Sequence, residues 1–421
     1  MSTARLIDLL PKAATADALH IMRLSILDWL ACGRAGATEP VAKAVRDMAQ
    51  AEAGAPQATP FGGGQLPARA TALVNGATSH ALDYDDTHFA HIGHPSVAVV
   101  SAALAVGEWT NASIDDVVLA ALTGCELSIR TGVLLGRAHY QIGFHQTATA
   151  GAFGAAYAAA LLLHKSPVHH HAALSLASTK AAGLKSQFGT MGKPYNAGIA
   201  ASNGVEAAIL AASLTAAEDP FEGPNGFLQT HHADGTWDQP DGWMMRSVSH
   251  KFHACCHGLH ASLEAMAKLD VPADRINKIT VFTHPRWLTV CNLANPSTAL
   301  EAKFSYSQVL AMAALGYDTS DLSSFTADVT QHPKVRVLRE SVEVKADKTL
   351  SETAARIIIS QDGTEPACSH HDLAQALATD TKTFRVQKKA AVLIGLDKAD
   401  HCWSLLTSPN ASASEFASLL I

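Results

Sequence analysis

The sequence predicts a mainly α protein. A large all-helical domain is formed by residues 1–269 and 396–421, and a smaller α+β domain at 270–395 is inserted before the C-terminal helix. Three observations carry this reading. From about Ala14 to Leu269 apolar residues recur at helical spacing, many of them alanine. Near Val271 the text turns to alternating and β-branched runs. After Asp380 helical spacing returns.

In chain order, residues 16–32 place Leu24, Ile26, Leu27 and Leu30 at helical spacing, and Gly33 offers a left-handed stop. Helices are expected at 40–53, 96–110, 114–135, 149–164, 170–185, 197–217 and 256–269, most of them bounded by Gly, Pro or Asn. Several are alanine-rich on every side, which suits closely packed central helices better than an amphipathic shell. Strands are expected at 275–284 (RINKITVFTH), 335–345 (VRVLRESVEVK) and 354–361 (AARIIISQ), with helices at 305–315 and 320–330 between the first two. Helices at 381–395 and 397–406 close the chain.

The chain has 421 residues, more than one compact core usually holds, which agrees with two domains. Its 31 basic and 38 acidic residues give a net charge of -7 with no Lys/Arg run, so nucleic acid is excluded as a partner. The first residues lack the order of a signal peptide, and no apolar run is expected to span a bilayer. A soluble, cytoplasmic protein with no membrane partner is expected. Seven cysteines form no CxxC pair, which argues against structural disulfides and against a cysteine-held iron–sulfur cluster.

The densest chemistry lies at 75–95, NGATSHALDYDDTHFAHIGHP, where His80, Asp83, Asp85, Asp86, Thr87, His88, His91 and His94 fall between apolar segments. Burying such groups requires that they be paired, metal-bound or catalytic. Three readings are open. A solvated loop would use Asp and Thr to cap the next helix. A metal site would draw on His88, His91 and His94, but on a helix imidazoles three residues apart drift around the axis instead of converging. An acid/base site would set Asp83 and Thr87 one helical turn apart and present His94 at a helix start. The last is preferred, and no metal is expected.

HALDYDDTH followed by HPS resembles the signature of the MmgE/PrpD family, which includes 2-methylcitrate dehydratases, cis-aconitate decarboxylases and iminodisuccinate epimerases. GFHQTATAGAFGAA (143–156), AAGLKSQFGTMGKPYNAGIAASNGVEAA (181–208), FEGPNGF (221–227), KFHACCHGLH (251–260) and NPSTALEAKFS (295–305) agree in the same order. The resemblance implies that the α+β domain is a lid over the active site, that the protein is a homodimer, and that the substrate is a small polycarboxylate handled without a cofactor.

His145 precedes a small-residue helix expected to begin at Thr149 or Ala150. Its residues alone favour a histidine bonded to backbone, whereas the resemblance gives it an active-site role. Lys193, between Gly192 and Pro194 in an expected loop, and Lys251 in HKFHACCH read alone as solubilising. The resemblance makes both of them cations for substrate carboxylates. Two positions depart from the family pattern. Asn196 stands where relatives often carry histidine, and Gln308 where several carry tyrosine, with Tyr306 two positions earlier. The site expected is therefore Asp83, His94 and His145 as catalytic residues, with Thr87, His91, Lys193, Lys251 and Tyr306 binding substrate. The runs His169–His171 and His231-His232 are expected on the surface, and Phe61–Gly64 is expected as a turn.

The activity expected is that of a cofactor-independent lyase on a citrate- or aconitate-like polycarboxylate. An epimerase of a dicarboxylate such as iminodisuccinate is the alternative enzyme, and a non-catalytic polycarboxylate-binding protein the alternative of another class.

Overall fold

The computed structural model describes residues 2–421. The chain divides into two compact units, Met1–His250 with Val386–Ile421, and Lys251–Arg385.

The first unit is helical. Its leading helices are α1 (Ser2–Asp8), α2 (Ala16–Gly36), α3 (Pro40–Glu52), α4 (Ala68–Ser79), α5 (Ser96–Trp109), α6 (Ile114–Ile142), α7 (Gln146–Leu163), α8 (Pro167–Ser178) and α9 (Gly192–Leu210). Local chemistry explains several of the ends. Ser113 and Asp116 form a capping box at the start of α6, while Pro40 and Pro167 open α3 and α8 where a missing N–H is tolerated. At the centre, α7 packs on α5, α6, α8 and α9, and α4 packs on α9.

These crossings are close because glycine faces backbone. A Cβ on Gly198 would lie 2.5 Å from the Leu73 carbonyl oxygen, and one on Gly76 would lie 2.9 Å from Gly198 Cα. Gly124 and Gly154 bring α6 and α7 together in the same way. The α4–α9 crossing matters for the site, because α4 ends at His80 and α9 begins with Lys193 and Asn196.

The second unit carries a four-stranded sheet of order β2-β1-β3-β4, from β1 (Ile276–Thr283), β2 (Val342–Ala346), β3 (Ala354–Gln361) and β4 (Ala367–Asp372). The β1–β2 pair is parallel, with Val281 opposite Val344, and the other two pairs are antiparallel. Ile279, Val281, Ile357 and Ile359 bury one face against neighbours that include helix His260–Met266.

Several sequence expectations change. Gly33 does not stop α2, which runs on to Gly36; its missing side chain instead makes room for the Phe61 ring. The segment at 335–345 is half helix, since Pro333 opens helix Pro333–Glu340, which buries Val335 and Leu338, and only Val342–Ala346 is strand. The segment at 320–330 breaks into short turns of helix at Leu322–Ser324 and Ala327–Gln331, and strand Ala367–Asp372 was not expected. Two helices, Ile114–Ile142 and Gln146–Leu163, are long and apolar enough to cross a bilayer, although 83% of each apolar window is buried inside the fold.

Candidate active site

The site is assembled from the loop between α4 and α5, the start of α7 and the first turn of α9. Residues 80–95 form turns but no helix, so Asp83 and Thr87 are not stacked as the sequence reading supposed. Asp83 itself adopts a left-handed backbone (φ 50). A non-glycine residue pays for that conformation, and here the Asp83 carboxylate meets the Nε2 side of the His94 ring while Asp85 holds the Nδ1 side.

Asp85 is the buried hub. His80 Nδ1 donates to it at 2.8 Å, and His94 Nδ1 lies 3.0 Å from its other oxygen. Burial alone would raise the Asp85 pKa, but the charges and hydrogen bonds of His80 and His94 outweigh it and hold the carboxyl well below the usual range. The other nitrogen of His94, Nε2, lies 3.3 Å from Asp83 Oδ1, and Lys193 Nζ reaches that same oxygen at 2.7 Å. Asp83 is the part-exposed member of this group, with its side chain 37% accessible. Lys193 is not in a loop. Pro194 is accommodated in the first turn of α9, and Lys193 lies beside it.

His145 caps α7, which starts three residues earlier than expected. Its ring stacks 6.1 Å from that of His80, and the edge of Phe188 meets it at 4.9 Å. Burial first, and then the Lys193 charge, push its pKa well below the ordinary histidine value, so it is neutral at neutral pH. Asn196, one turn into α9, lies with Nδ2 3.4 Å from His145 Nδ1.

The remaining candidates are placed as follows. Thr87 pairs with Ser249 through both backbone bonds, and its hydroxyl donates to the Ser249 carbonyl at 3.3 Å. His91 is fully buried beneath the loop against Gly132, its Nε2 3.2 Å from the Ser128 hydroxyl, and burial followed by the His88 charge takes its pKa down to about 3. Both side chains therefore contact the scaffold of the loop. Lys251 and Tyr306 belong to the second unit. Lys251 is buried there, and the Tyr306 hydroxyl donates to the Gly258 carbonyl at 2.6 Å. Gln308 accepts from Arg339 at 2.9 Å.

Two residues of the site were read in the sequence only as members of a polar stretch. His80 and Asp85 lie five apart, a spacing with no helical or strand meaning, and only the loop brings them together. Asp86 takes the part that the plainest reading assigned to this loop, accepting from the Ser96 hydroxyl at 2.5 Å at the head of α5. Burial, with Asp28 and Asp85 nearby, raises its pKa to about 7 against the Ser96 bond. Lys389 was missed altogether. Its ammonium is buried, pairs with Asp28 at 2.6 Å and donates at 2.6 Å to the Tyr84 carbonyl, which holds the peptide between Asp83 and Asp85.

One set of side chains could hold a metal ion, since ligand atoms of His80, Asp83, Asp85 and His94 lie within 4.8 Å of one another. Each of these groups already has a protein partner: Asp85 has two imidazoles and Asp83 an ammonium. The rings of His88, His91 and His94, the regularly spaced trio, take different side-chain partners, although the His91 main-chain N–H donates to His88 Nδ1 at 3.3 Å. His88 Nε2 faces the Met244 carbonyl and the Ser247 hydroxyl.

Comparison with known proteins places this geometry in context. The chain is 31% identical over 277 residues to a cis-aconitate decarboxylase of Aspergillus terreus, covering 60% of this chain and 56% of that one. It is 28% identical over 288 residues to a cis-aconitate decarboxylase-like protein of Aspergillus oryzae, covering 62% and 59%. It is 34% identical over 152 residues to a human cis-aconitate decarboxylase, covering 35% and 31%. The chain thus spans little more than half the length of the fungal relatives it matches. Residues 6–240 match the MmgE/PrpD N-terminal domain and residues 253–391 match the MmgE/PrpD C-terminal domain. On that match, which carries both domains in order, the chain belongs to the MmgE/PrpD family.

Proposed function

We propose that the protein is a cofactor-independent lyase that acts on a citrate- or aconitate-like polycarboxylate by acid/base catalysis. The observation that carries the reading is the approach of Lys193 and His94 to one oxygen of Asp83, beside a buried neutral His145. An ammonium and an imidazole aimed at one carboxylate oxygen are the donors that a substrate carboxylate would meet in its place. Loss of CO2, or of a proton next to a carboxylate, leaves an electron pair that the adjoining carboxylate shares. A cation such as Lys193 stabilises that charge, and His94 carries the proton. We assign Lys251 and Tyr306 to further substrate groups on the strength of their motifs.

The names of the matched relatives favour decarboxylation over dehydration. Epimerisation of a dicarboxylate is the second reading, supported by an imidazole and an ammonium, His94 and Lys193, at one carboxylate oxygen, the pair that proton removal and return would use. The deciding experiment mixes the protein with citrate, 2-methylcitrate, cis-aconitate and iminodisuccinate in the presence of a chelator. Released CO2 is expected. Alkene absorbance without CO2 would mean dehydration, and a change in optical rotation alone epimerisation. Binding without turnover would leave a non-catalytic polycarboxylate-binding protein, and activity lost to the chelator would end the claim of cofactor independence.

We also place the protein in the cytoplasm as a homodimer. Exposed apolar side chains at and beside α3 and α9 (Met48, Met191, Tyr195, Ile209) support association. Sedimentation as a 44.2 kDa species at micromolar concentration would refute it.

A further inference from the structure

We infer that Asn196 is a positioning residue that fixes the His145 imidazole with its lone pair on Nδ1 and its proton on Nε2, so that His145 serves the site as a hydrogen-bond donor and not as a base. The functional half of this inference rests on the acid/base reading above. The tautomer itself does not.

Asn196 Nδ2 lies 3.2 Å from the Leu184 carbonyl oxygen. A carbonyl oxygen only accepts, so the NH2 end of the amide faces Leu184, and the opposite orientation would set two acceptors against each other. One hydrogen of that NH2 goes to Leu184. The other is the one facing His145 Nδ1 at 3.4 Å, and a nitrogen that meets an N–H must offer a lone pair. A neutral imidazole with its lone pair on Nδ1 carries its proton on Nε2.

The arrangement is built in by backbone. His145 N–H donates to the Gly183 carbonyl at 2.9 Å, and Lys185 N–H donates to the Gly143 carbonyl at 2.8 Å, around a bridge between Phe144 and Leu184. The segment that receives the Asn196 amide is therefore the one that holds the His145 main chain. Gly183 sits at φ 149 with an added Cβ falling 2.6 Å from Ala148 Cβ, so the segment can approach this closely only without a side chain there. The charged and titratable neighbours are Lys193, His80, His94 and Asp83. The first three oppose a second proton on the ring, and burial opposes it more strongly than any of them.

An imidazole so held cannot take a proton at Nε2, which already has one, or at Nδ1, which faces the amide. It can polarise a substrate oxygen through Nε2–H, a use of neutral imidazole that does not require proton transfer. A titratable side chain at position 196 could exchange the proton on Nδ1. Asparagine cannot.

Long-range proton–nitrogen NMR on protein labelled with 15N-histidine at pH 8 tests the tautomer directly. The His145 signals are identified by their loss in His145→Gln. The expected pattern is a bare Nδ1 and a protonated Nε2 in the wild type, inverted in Asn196→Asp, whose carboxylate accepts from Nδ1–H. A protonated Nδ1 in the wild type overturns the inference without any variant having to fold. The donor role is read from turnover of cis-aconitate. His145→Gln keeps an N–H donor and is expected to retain far more activity than His145→Ala, while Asn196→Asp is expected to lose roughly 10²-fold. Equal losses in His145→Gln and His145→Ala, with the expected tautomer in place, would overturn the donor role alone. Absence of turnover in the wild type would count against the proposed lyase function and leave the tautomer result standing.

Discussion

His94 and His145 are both buried imidazoles held at Nδ1, and the groups that hold them are opposites. His94 has a carboxylate on each side, Asp85 at Nδ1 and Asp83 at Nε2, the surroundings of an imidazolium. His145 has an amide N–H at Nδ1, an ammonium nearby, and no carboxylate bonded to either nitrogen in the hydrogen bonds and ion pairs described above. The contrast teaches how one pocket can hold two histidines with separate duties. In the proposed chemistry the two carboxylates suit His94 to carrying a proton, whereas the amide suits His145 to a fixed donor role.

The largest test of this contrast is His94→Ala, which should lower turnover by roughly 10²–10⁴-fold with a smaller change in KM. Near-normal turnover in a variant with intact circular dichroism would erase the distinction. Next comes Asp85→Asn, which leaves two buried imidazoles without their shared carboxylate. It should cost about 3 kcal/mol in urea unfolding, the scale for breaking a buried pair, and roughly 10²-fold in turnover. Unchanged stability would mean that the hub carries little. Lys193→Met removes a cation common to both sides and should raise KM roughly tenfold, by the strength of a charge-assisted bond. A change in turnover with KM constant would instead place Lys193 in the chemistry only.

The smallest effect is on stability against pH, and it separates the two sides by window. Asp85 has a depressed folded pKa. Its contribution is present above the unfolded value of about 3.9 and is lost as pH falls toward the folded one. His145 is also depressed, so the unfolded chain takes up its proton first, and stability is lost as pH falls from about 6.5. Asp86, raised to about 7, works the other way between about 3.9 and 7, because there the folded state holds the extra proton. On going from pH 7.5 to 5, the change in urea-unfolding free energy should therefore be less negative in His145→Gln than in the wild type, by up to about 1.4 kcal/mol per pH unit below about 6.5. The same difference in both proteins would mean that His145 is not held neutral.

Much of this was legible in the sequence, and the failures have physical causes. A polar cluster between alanine-rich helices marked the stretch 75–95, of which α4 takes 75–79 and the loop the rest, and Pro95 before Ser96 marked the next helix. Lys193 was read as loop because Gly192 and Pro194 flank it, yet proline in a first turn lacks only an N–H that has no helical partner anyway. Asp85 was unreadable as a hub because its partners depend on the left-handed turn at Asp83, which no spacing rule encodes. Asn196 could be noticed as a departure from the family pattern, but its partner is set by the backbone of residues 183–185. Lys389 reaches Tyr84 across 305 positions, a contact that only the fold supplies.

The glycine contact between α4 and α9 has a further consequence. Where Gly76 meets Gly198 the nearest neighbours are mostly main-chain atoms, with Ala77 Cβ beside them, so the distance between the His80 end and the Lys193 end is set largely by backbone approach. Residues on the first turn of α9 can then be exchanged without altering how the helices cross. A change of side chain at position 196 would then alter its contact with His145 while position 193 keeps its reach to Asp83. The crossing behaves as a fixed axle for the first turn of α9, and any residue larger than glycine at Gly198 would shift both ends of the site at once.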